Sequence, residues 1–196
     1  MNLLIISSSQ RKQSQSKKVA LYLQQQASEF KNVTTIDLCD FDIPLWDGEN
    51  KGSDWKHISK SLMQADAILL ITPEWNGTAS PLLKNFLLMC SHEETAYKPV
   101  LLVSVSSGIG GSYPIAELKM NAFKNNKMTP TPDHLIIRFV ENMLNSEVND
   151  EHDKNLRSRI RYSLHTLSLY ATSLYQVRAH LRDFPTPEQH RFSYGM

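Results

Sequence analysis

The amino-acid sequence predicts an α/β chain built on a doubly wound, five-stranded parallel sheet with helices on both faces. Three observations lead there. Five short runs of Val, Ile and Leu lack the period-two alternation of half-exposed strands, as expected for strands buried on both faces. The segments between them place apolar residues at helical spacing. Three of the runs end in short polar loops, at the strand ends where open α/β sheets gather a ligand. With 196 residues, 41% of them hydrophobic and 21% charged, the chain is long enough for one domain with a substantial core.

Residues 3–6 form the first expected strand, and Val19, Leu23, Ala27 and Phe30 follow at helical spacing. The second strand covers residues 33–38. The stretch 39–53, rich in Asp and containing Pro44 and Gly48, breaks the rhythm and reads as a surface excursion. Residues 67–72 make the third strand, and a helix through Leu82, Leu83, Phe86, Leu87, Leu88 and Met89 comes after it. Residues 100–105 make the fourth strand and residues 135–139, a weaker run, the fifth. Leu156, Ile160, Leu164, Leu167, Ala171 and Leu174 mark a last helix, whereas the tail from Asp183, with Pro185 and Pro187, has no clear period. Five strands alternating with helices point to the flavodoxin-like order 2-1-3-4-5. Its switch point lies between the first and third strands, so their following loops sit side by side.

A formal net charge of +1 with dispersed basic residues gives no electrostatic footprint for nucleic acid or an anionic membrane surface. No apolar run is long enough to cross a bilayer. The run at 3–6 begins almost at Met1, leaving no room for a leader, and Cys39 and Cys90 lack CxxC spacing. Two reduced thiols and a cytoplasmic address are the expectation.

Loop one, Ser7-Ser8-Ser9-Gln10-Arg11-Lys12-Gln13-Ser14-Gln15-Ser16, precedes a helix whose unpaired amides and positive dipole end suit a phosphate. Serine hydroxyls add donors, and Arg11 offers a planar fork whose charge-assisted bonds are worth roughly 1.5–3 kcal/mol each. A polar turn closed by a serine N-cap would read the same way. Loop two, Thr72-Pro73-Glu74-Trp75-Asn76-Gly77-Thr78, joins a fixed φ, an aromatic plane and an Asn-Gly turn. A planar ring can rest against such a wall, or the Trp can pack back over the sheet edge. Loop three, Ser104-Val105-Ser106-Ser107-Gly108-Ile109-Gly110-Gly111, lets backbone approach a ligand closely, or simply connects a strand to a helix. It is not a dinucleotide fingerprint, because Tyr113 stands where the third glycine of GxGxxG belongs.

Taken together, the three loops resemble the NADPH-dependent FMN reductases, a family of flavodoxin-like fold that includes chromate, quinone and azo-dye reductases. Its motif GSxRxxSxN aligns with residues 8–16, keeping Ser9, Arg11 and Ser14, with Ser8 in place of the glycine and Ser16 in place of the asparagine. Its motif PEYNGSxPxxLKN is matched by residues 73–85, with one residue of slack before Pro81 and Trp75 for the usual tyrosine. A small-residue run ending IGG is echoed by Ser107-Gly108-Ile109-Gly110-Gly111, and Tyr113 occupies the usual arginine position. The resemblance covers roughly residues 2–174.

It implies that FMN's phosphate lies in loop one, its ring against loop two and its pyrimidine edge near loop three. The residues so implicated are Ser9, Arg11, Ser14, Ser16, Pro73, Glu74, Trp75, Asn76, Gly77, Ser106, Ser107, Gly108, Gly110 and Gly111. NADPH or NADH would reduce the flavin, and a small acceptor such as free flavin or a quinone would collect the electrons. The flavin does the hard chemistry, so no catalytic protein residue is expected, and Glu74 takes a loop-structuring role. Lys12, Lys17 and Lys18 are candidates for the contact that selects NADPH. The family's members imply a homodimer, or a tetramer, formed through the apolar helix after loop two. Residues 1–182 would be the FMN-binding domain and residues 183–196 an extension.

The alternative is a non-catalytic flavodoxin-like electron carrier or flavin-binding module. The near-neutral charge speaks against a carrier, since flavodoxins are strongly acidic. Ser14 to Lys17 spells SxxK without its accompanying elements, and His92-Glu93-Glu94 lacks a second histidine. The remaining histidines are scattered, and no metal site is expected.

Overall fold

Strands with both faces apolar can only be satisfied between two layers of helices, and this determines the architecture. The computed structural model describes residues 1–148 and 150–184. In chain order its elements are β1 (Asn2–Ser7), α1 (Gln15–Gln26), β2 (Asn32–Asp37), α2 (Trp55–Gln64), β3 (Ala67–Trp75), β4 (Thr78–Ala79), α3 (Pro81–Met89), α4 (His92–Thr95), β5 (Pro99–Val105), α5 (Ser112–Asn121), β6 (Thr129–Ile137) and α6 (Glu151–Asp183). The sheet runs β2-β1-β3-β5-β6, all parallel, with β4 pairing antiparallel to β3. Leaving β4 aside, this is the predicted order of five parallel strands.

Alternate residues of each strand serve opposite layers. Leu3 and Ile5 of β1, with Leu69, Ile71, Leu101 and Val103, pack against Val19 and Leu23 of α1 and Ile160, Leu164 and Leu167 of α6. Leu4, Ile6, Ile68, Leu70 and Leu102 face Ile58 and Leu62 of α2, Phe86 of α3 and Leu118 of α5. Each such fully buried Leu, Ile or Phe contributes about 1.5–3 kcal/mol, so the two layers lock the register of every strand.

Several boundaries differ from expectation for identifiable reasons. The fifth strand is β6, Thr129–Ile137, earlier than residues 135–139, because Phe139 takes φ 48° and cannot continue an extended chain. Pro130 and Pro132 are tolerated there because β6 is an edge strand. Phe30 is buried but lies beyond α1, which ends at Gln26. The third strand runs three residues past Thr72 and returns through β4, since Asn76 and Gly77 both take positive φ, the signature of a type I′ hairpin turn. The excursion at 39–53 is pinned to the fold by Asn85 of α3, whose Oδ1 accepts from the Trp46 amide at 2.8 Å and whose Nδ2 donates to the Pro44 carbonyl at 2.8 Å. Helix α6 reaches Asp183, and the rest of the expected tail, from Pro185 on, lies outside the described residues. Among the described residues no helix is long and apolar enough to cross a membrane.

Candidate functional site

From β1 the chain crosses through α1 to β2 on one side and then returns through α2 to β3 on the other, so the tips of β1 and β3 flank the switch point. Loop one starts there. Ser8, standing where the motif has glycine, is fully buried. Its hydroxyl donates to the Ile71 carbonyl at 2.6 Å, and the Ser80 hydroxyl donates to the Ser8 carbonyl at 2.7 Å. The Ser8 side chain therefore turns back into the sheet and fastens loop one to the start of α3. Ser9 is buried and its Oγ accepts from the Arg11 amide at 3.2 Å, which folds the loop. Ser14 is the N-cap of α1, with Oγ accepting from the Lys17 amide at 3.1 Å. Both hydroxyls keep a proton to donate. Ser16 is buried under the first turn of α1. Among the described residues the amides of Lys12 to Ser16 have no acceptor, and no acidic side chain occupies the first turn. An anion is the natural complement of such a helix start.

Loop two is the β3–β4 hairpin. Pro73 is buried in the sheet, in register with Val105 of β5. Half-buried Trp75 carries the Arg11 guanidinium over its ring at 5.4 Å, which joins loops one and two. Asn76 and Gly77 are exposed at the turn, and the Tyr113 ring stands 3.8 Å from where a Gly77 Cβ would be.

Glu74 joins loops two and three: its Oε2 accepts from the Gly111 amide, and a Cβ on Gly110 would collide with the same oxygen. Gly111 has φ 100° and caps α5, and a Cβ there would collide with Ile136 Cγ2. Both glycines are thus required by close approach, and Glu74 ties loop two to loop three. Ser106 Oγ accepts from the Gly108 amide at 3.3 Å, while Ser107 is exposed and Gly108 borders open space. Nearby, the Ser104 hydroxyl is buried without a partner among the described residues.

Two of the three lysines that were candidates for the contact selecting NADPH are engaged elsewhere. Lys17 lies 3.0 Å from Asp40 and 3.3 Å from Asp37. Its ammonium is held above its usual pKa by the hydrogen bond with Asp40 first and with Asp37 second. Lys18 donates to the Val140 and Met143 carbonyls at 2.7 and 3.0 Å. Lys12 alone of the three is exposed without such a tie among the described residues. Asp37, Cys39 and Asp40 bring three potential ligand atoms within 4.8 Å, but the Lys17 ammonium already supplies the cation between the two carboxylates. Burial, then Asp37 and Asp40, push the Cys39 thiol up, so it stays protonated.

Sequence reasoning missed Arg138. Following β6, it donates Nε to the Ile109 and Gly110 carbonyls at 2.7 and 2.9 Å and Nη2 to Ser112 Oγ at 3.2 Å. The available signal was an arginine at the carboxyl end of a parallel strand. Ser80 was missed as well; its Oγ caps α3 through the Leu83 amide at 3.1 Å.

Comparison with known proteins agrees with this geometry. The chain is 33% identical over 111 residues to an NADPH azoreductase of Bacillus sp. (strain OY1-2), which is 55% of this chain and 60% of that protein. It is 32% identical over 116 residues to a quinone reductase of Pseudomonas putida, covering 55% and 61%. The chain thus spans about three-fifths of the length of these curated relatives. Its fold matches the flavoenzyme NAD(P)H:(acceptor) oxidoreductase of Paracoccus denitrificans with a TM-score of 0.70 at 17% identity, over 88% of this chain and 97% of that one. An oxidoreductase of Corynebacterium diphtheriae gives 0.69 at 14% identity, over 88% and 97%. Residues 1–142, which hold all three loops, match the family described as NADPH-dependent FMN reductase, and to that family the chain belongs.

Proposed function

We propose that the protein binds FMN across the three strand tips and uses it as an NAD(P)H oxidoreductase acting on a small acceptor such as a quinone or free flavin. The observation that carries this is the physical linkage of the tips: Arg11 on Trp75 joins loops one and two, and Glu74 with Gly111 joins loops two and three. Bound FMN would accept a hydride from NAD(P)H and release electrons to the acceptor. The residues fit such a group. The open amides of 12–16, with Ser9, Arg11, Ser14 and Ser16, would hold the phosphate. Trp75, with Asn76 and Gly77, would wall the ring, over the frame that Pro73 and Glu74 provide. Ser106, Ser107, Gly108, Gly110 and Gly111 would present backbone to its polar edge. Exposed Ile109 and Tyr113 border the same crevice and would limit the shape of the acceptor.

Residues 1–182 act as the FMN-binding domain and residues 183–196 as an extension. The homodimer would form across α3 and α5, where Leu88 is 65% exposed beside a cavity of about 400 Å³ lined by Leu87, Cys90, Leu118 and Ala122. A tetramer would extend that contact. Neither nucleic acid nor membrane is part of this function, and a reducing, cytoplasmic setting suits the two free cysteines. In the test, purified protein binds one FMN per chain, turns yellow and oxidises NADPH when a quinone is added. A yellow protein inert to NADPH would be an electron carrier, and absence of FMN binding would end the reading.

A further inference from the structure

Loop three is held by its carbonyls. Arg138 takes those of Ile109 and Gly110, the Phe139 amide donates to the Gly108 carbonyl at 3.3 Å, and the Val140 amide donates to the Ser106 carbonyl at 3.2 Å. Four carbonyls of the loop are therefore drawn towards the segment after β6. No peptide bond among the described residues is cis, and in a trans peptide the C=O and N–H point in opposite directions. The amides of Ser107, Ile109, Gly110 and Gly111 consequently face away from that segment. Gly111 verifies the direction, because its amide meets Glu74 on the β3–β4 hairpin.

The peptide between Gly110 and Gly111 thus lies between a guanidinium at its oxygen and a carboxylate at its N–H. Charge at one end of a hydrogen-bond chain polarises the groups along it. The peptide between Ile109 and Gly110 carries the same guanidinium on its oxygen, and among the described residues its amide has no acceptor. It is therefore a strengthened donor. A planar fork is needed because one nitrogen, Nε, serves two successive carbonyls while Nη2 reaches Ser112. Tyr113 stands where the related motif has its arginine, so the cation acting on this loop arrives from the end of β6 instead.

We infer that Arg138 is a positioning residue of the flavin site: it aims the loop-three amides at the crevice and, through their polarised peptides, favours the more negatively charged reduced flavin. This rests on the FMN reading above. The experiment compares full-length wild type with Arg138→Met and Arg138→Lys, measuring FMN dissociation constants by fluorescence titration of apoprotein and midpoint potentials of the loaded proteins. Arg138→Met is expected to loosen FMN at least tenfold and to lower the potential by about 30 mV, a tenfold preferential loss for the reduced form of a two-electron couple. Arg138→Lys keeps the charge without the fork, so it restores most of the potential while FMN stays at least threefold weaker. If Arg138→Met does not fold, the lysine variant decides, and wild-type affinity in it overturns the inference. A variant with a lowered melting temperature but wild-type affinity and potential makes the brace merely structural and overturns the inference alone. Wild-type protein without affinity for FMN overturns the functional reading and this inference together.

Discussion

The two ends of the sheet treat their polar groups in opposite ways. At the amino ends of the strands the groups pair off. The Asn2 amide donates to Asp66 at 2.9 Å, Asn32 Nδ2 to Asn2 Oδ1 at 2.9 Å, and Arg178 lies 3.1 Å from Asp66. Lys98 closes the end of α2 by donating to the Leu62 carbonyl at 2.5 Å. At the carboxyl ends, the Ser7 and Ser104 hydroxyls are buried without partners among the described residues, and a run of loop-one amides has no acceptor. A buried unpaired polar group costs about 1–3 kcal/mol. One end of the molecule pairs its polar groups within the fold, and the other leaves donors open at some cost in stability. Substitutions at the two ends should therefore separate stability from FMN affinity.

The largest effect is expected at Gly111. Its φ of 100° is unfavourable for any Cβ, and an added methyl collides with Ile136 Cγ2, on a stiff β-branched side chain. Left-handed strain and overpacking together cost about 3 kcal/mol, a factor of roughly 150 in an equilibrium constant. Gly111→Ala should weaken FMN binding by about that factor in titration calorimetry, because the Glu74 bond and the loop-three amides move with it. An equal fall in chemical stability with unchanged affinity would assign loop three to the stability side and break the contrast.

Lys98 sharpens the contrast from the other end. Burial first, then Arg178, lower its pKa from 10.5 to about 8. Below pH 8 both native and unfolded chains carry the proton, so the cost of burying the charge is fully present. Between about 8 and 10.5 the native amine is neutral while the unfolded one remains charged, so the unfolded state binds more protons and stability rises with pH. The total is on the order of 3 kcal/mol. Urea denaturation across this range, wild type minus Lys98→Met, should show that positive slope, with FMN affinity of the two proteins alike at pH 7.5. A flat difference would mean that the Leu62 and Met63 carbonyls keep the ammonium charged.

How much of this could be read in the sequence follows the same division. Strands β1, β3 and β5 were legible because burial on both faces writes continuous apolar runs, whereas the edge strands β2 and β6 are only partly buried and write weaker ones, with two prolines interrupting β6. Helix α2 was overlooked although Trp55, Ile58 and Leu62 have helical spacing, because the Asp-rich excursion masks its start. Helix α5 buries only Pro114, Ile115 and Leu118 and leaves little pattern to find. The three loops were legible as compositions at strand ends. Their connections were not: Glu74 and Gly111 are 37 residues apart, Arg138 and Ile109 are 29 apart, and only the strand order brings them together.

Ser14 carries the smallest effect and the finest test, because it belongs to both functions at once. As N-cap of α1 its oxygen accepts from the Lys17 amide, and as a donor its proton is free for a phosphate. Ser14→Ala removes both roles, which should cost about 1 kcal/mol of stability and roughly fivefold in FMN affinity. Ser14→Gly divides them, since glycine in an N-cap position costs only a few tenths of a kcal/mol but brings no hydroxyl. Thermal denaturation should therefore find Ser14→Gly close to wild type while its FMN affinity matches that of Ser14→Ala. Wild-type affinity in the glycine variant would show that the hydroxyl serves the helix alone, and that the phosphate is held by backbone amides and Arg11 without it.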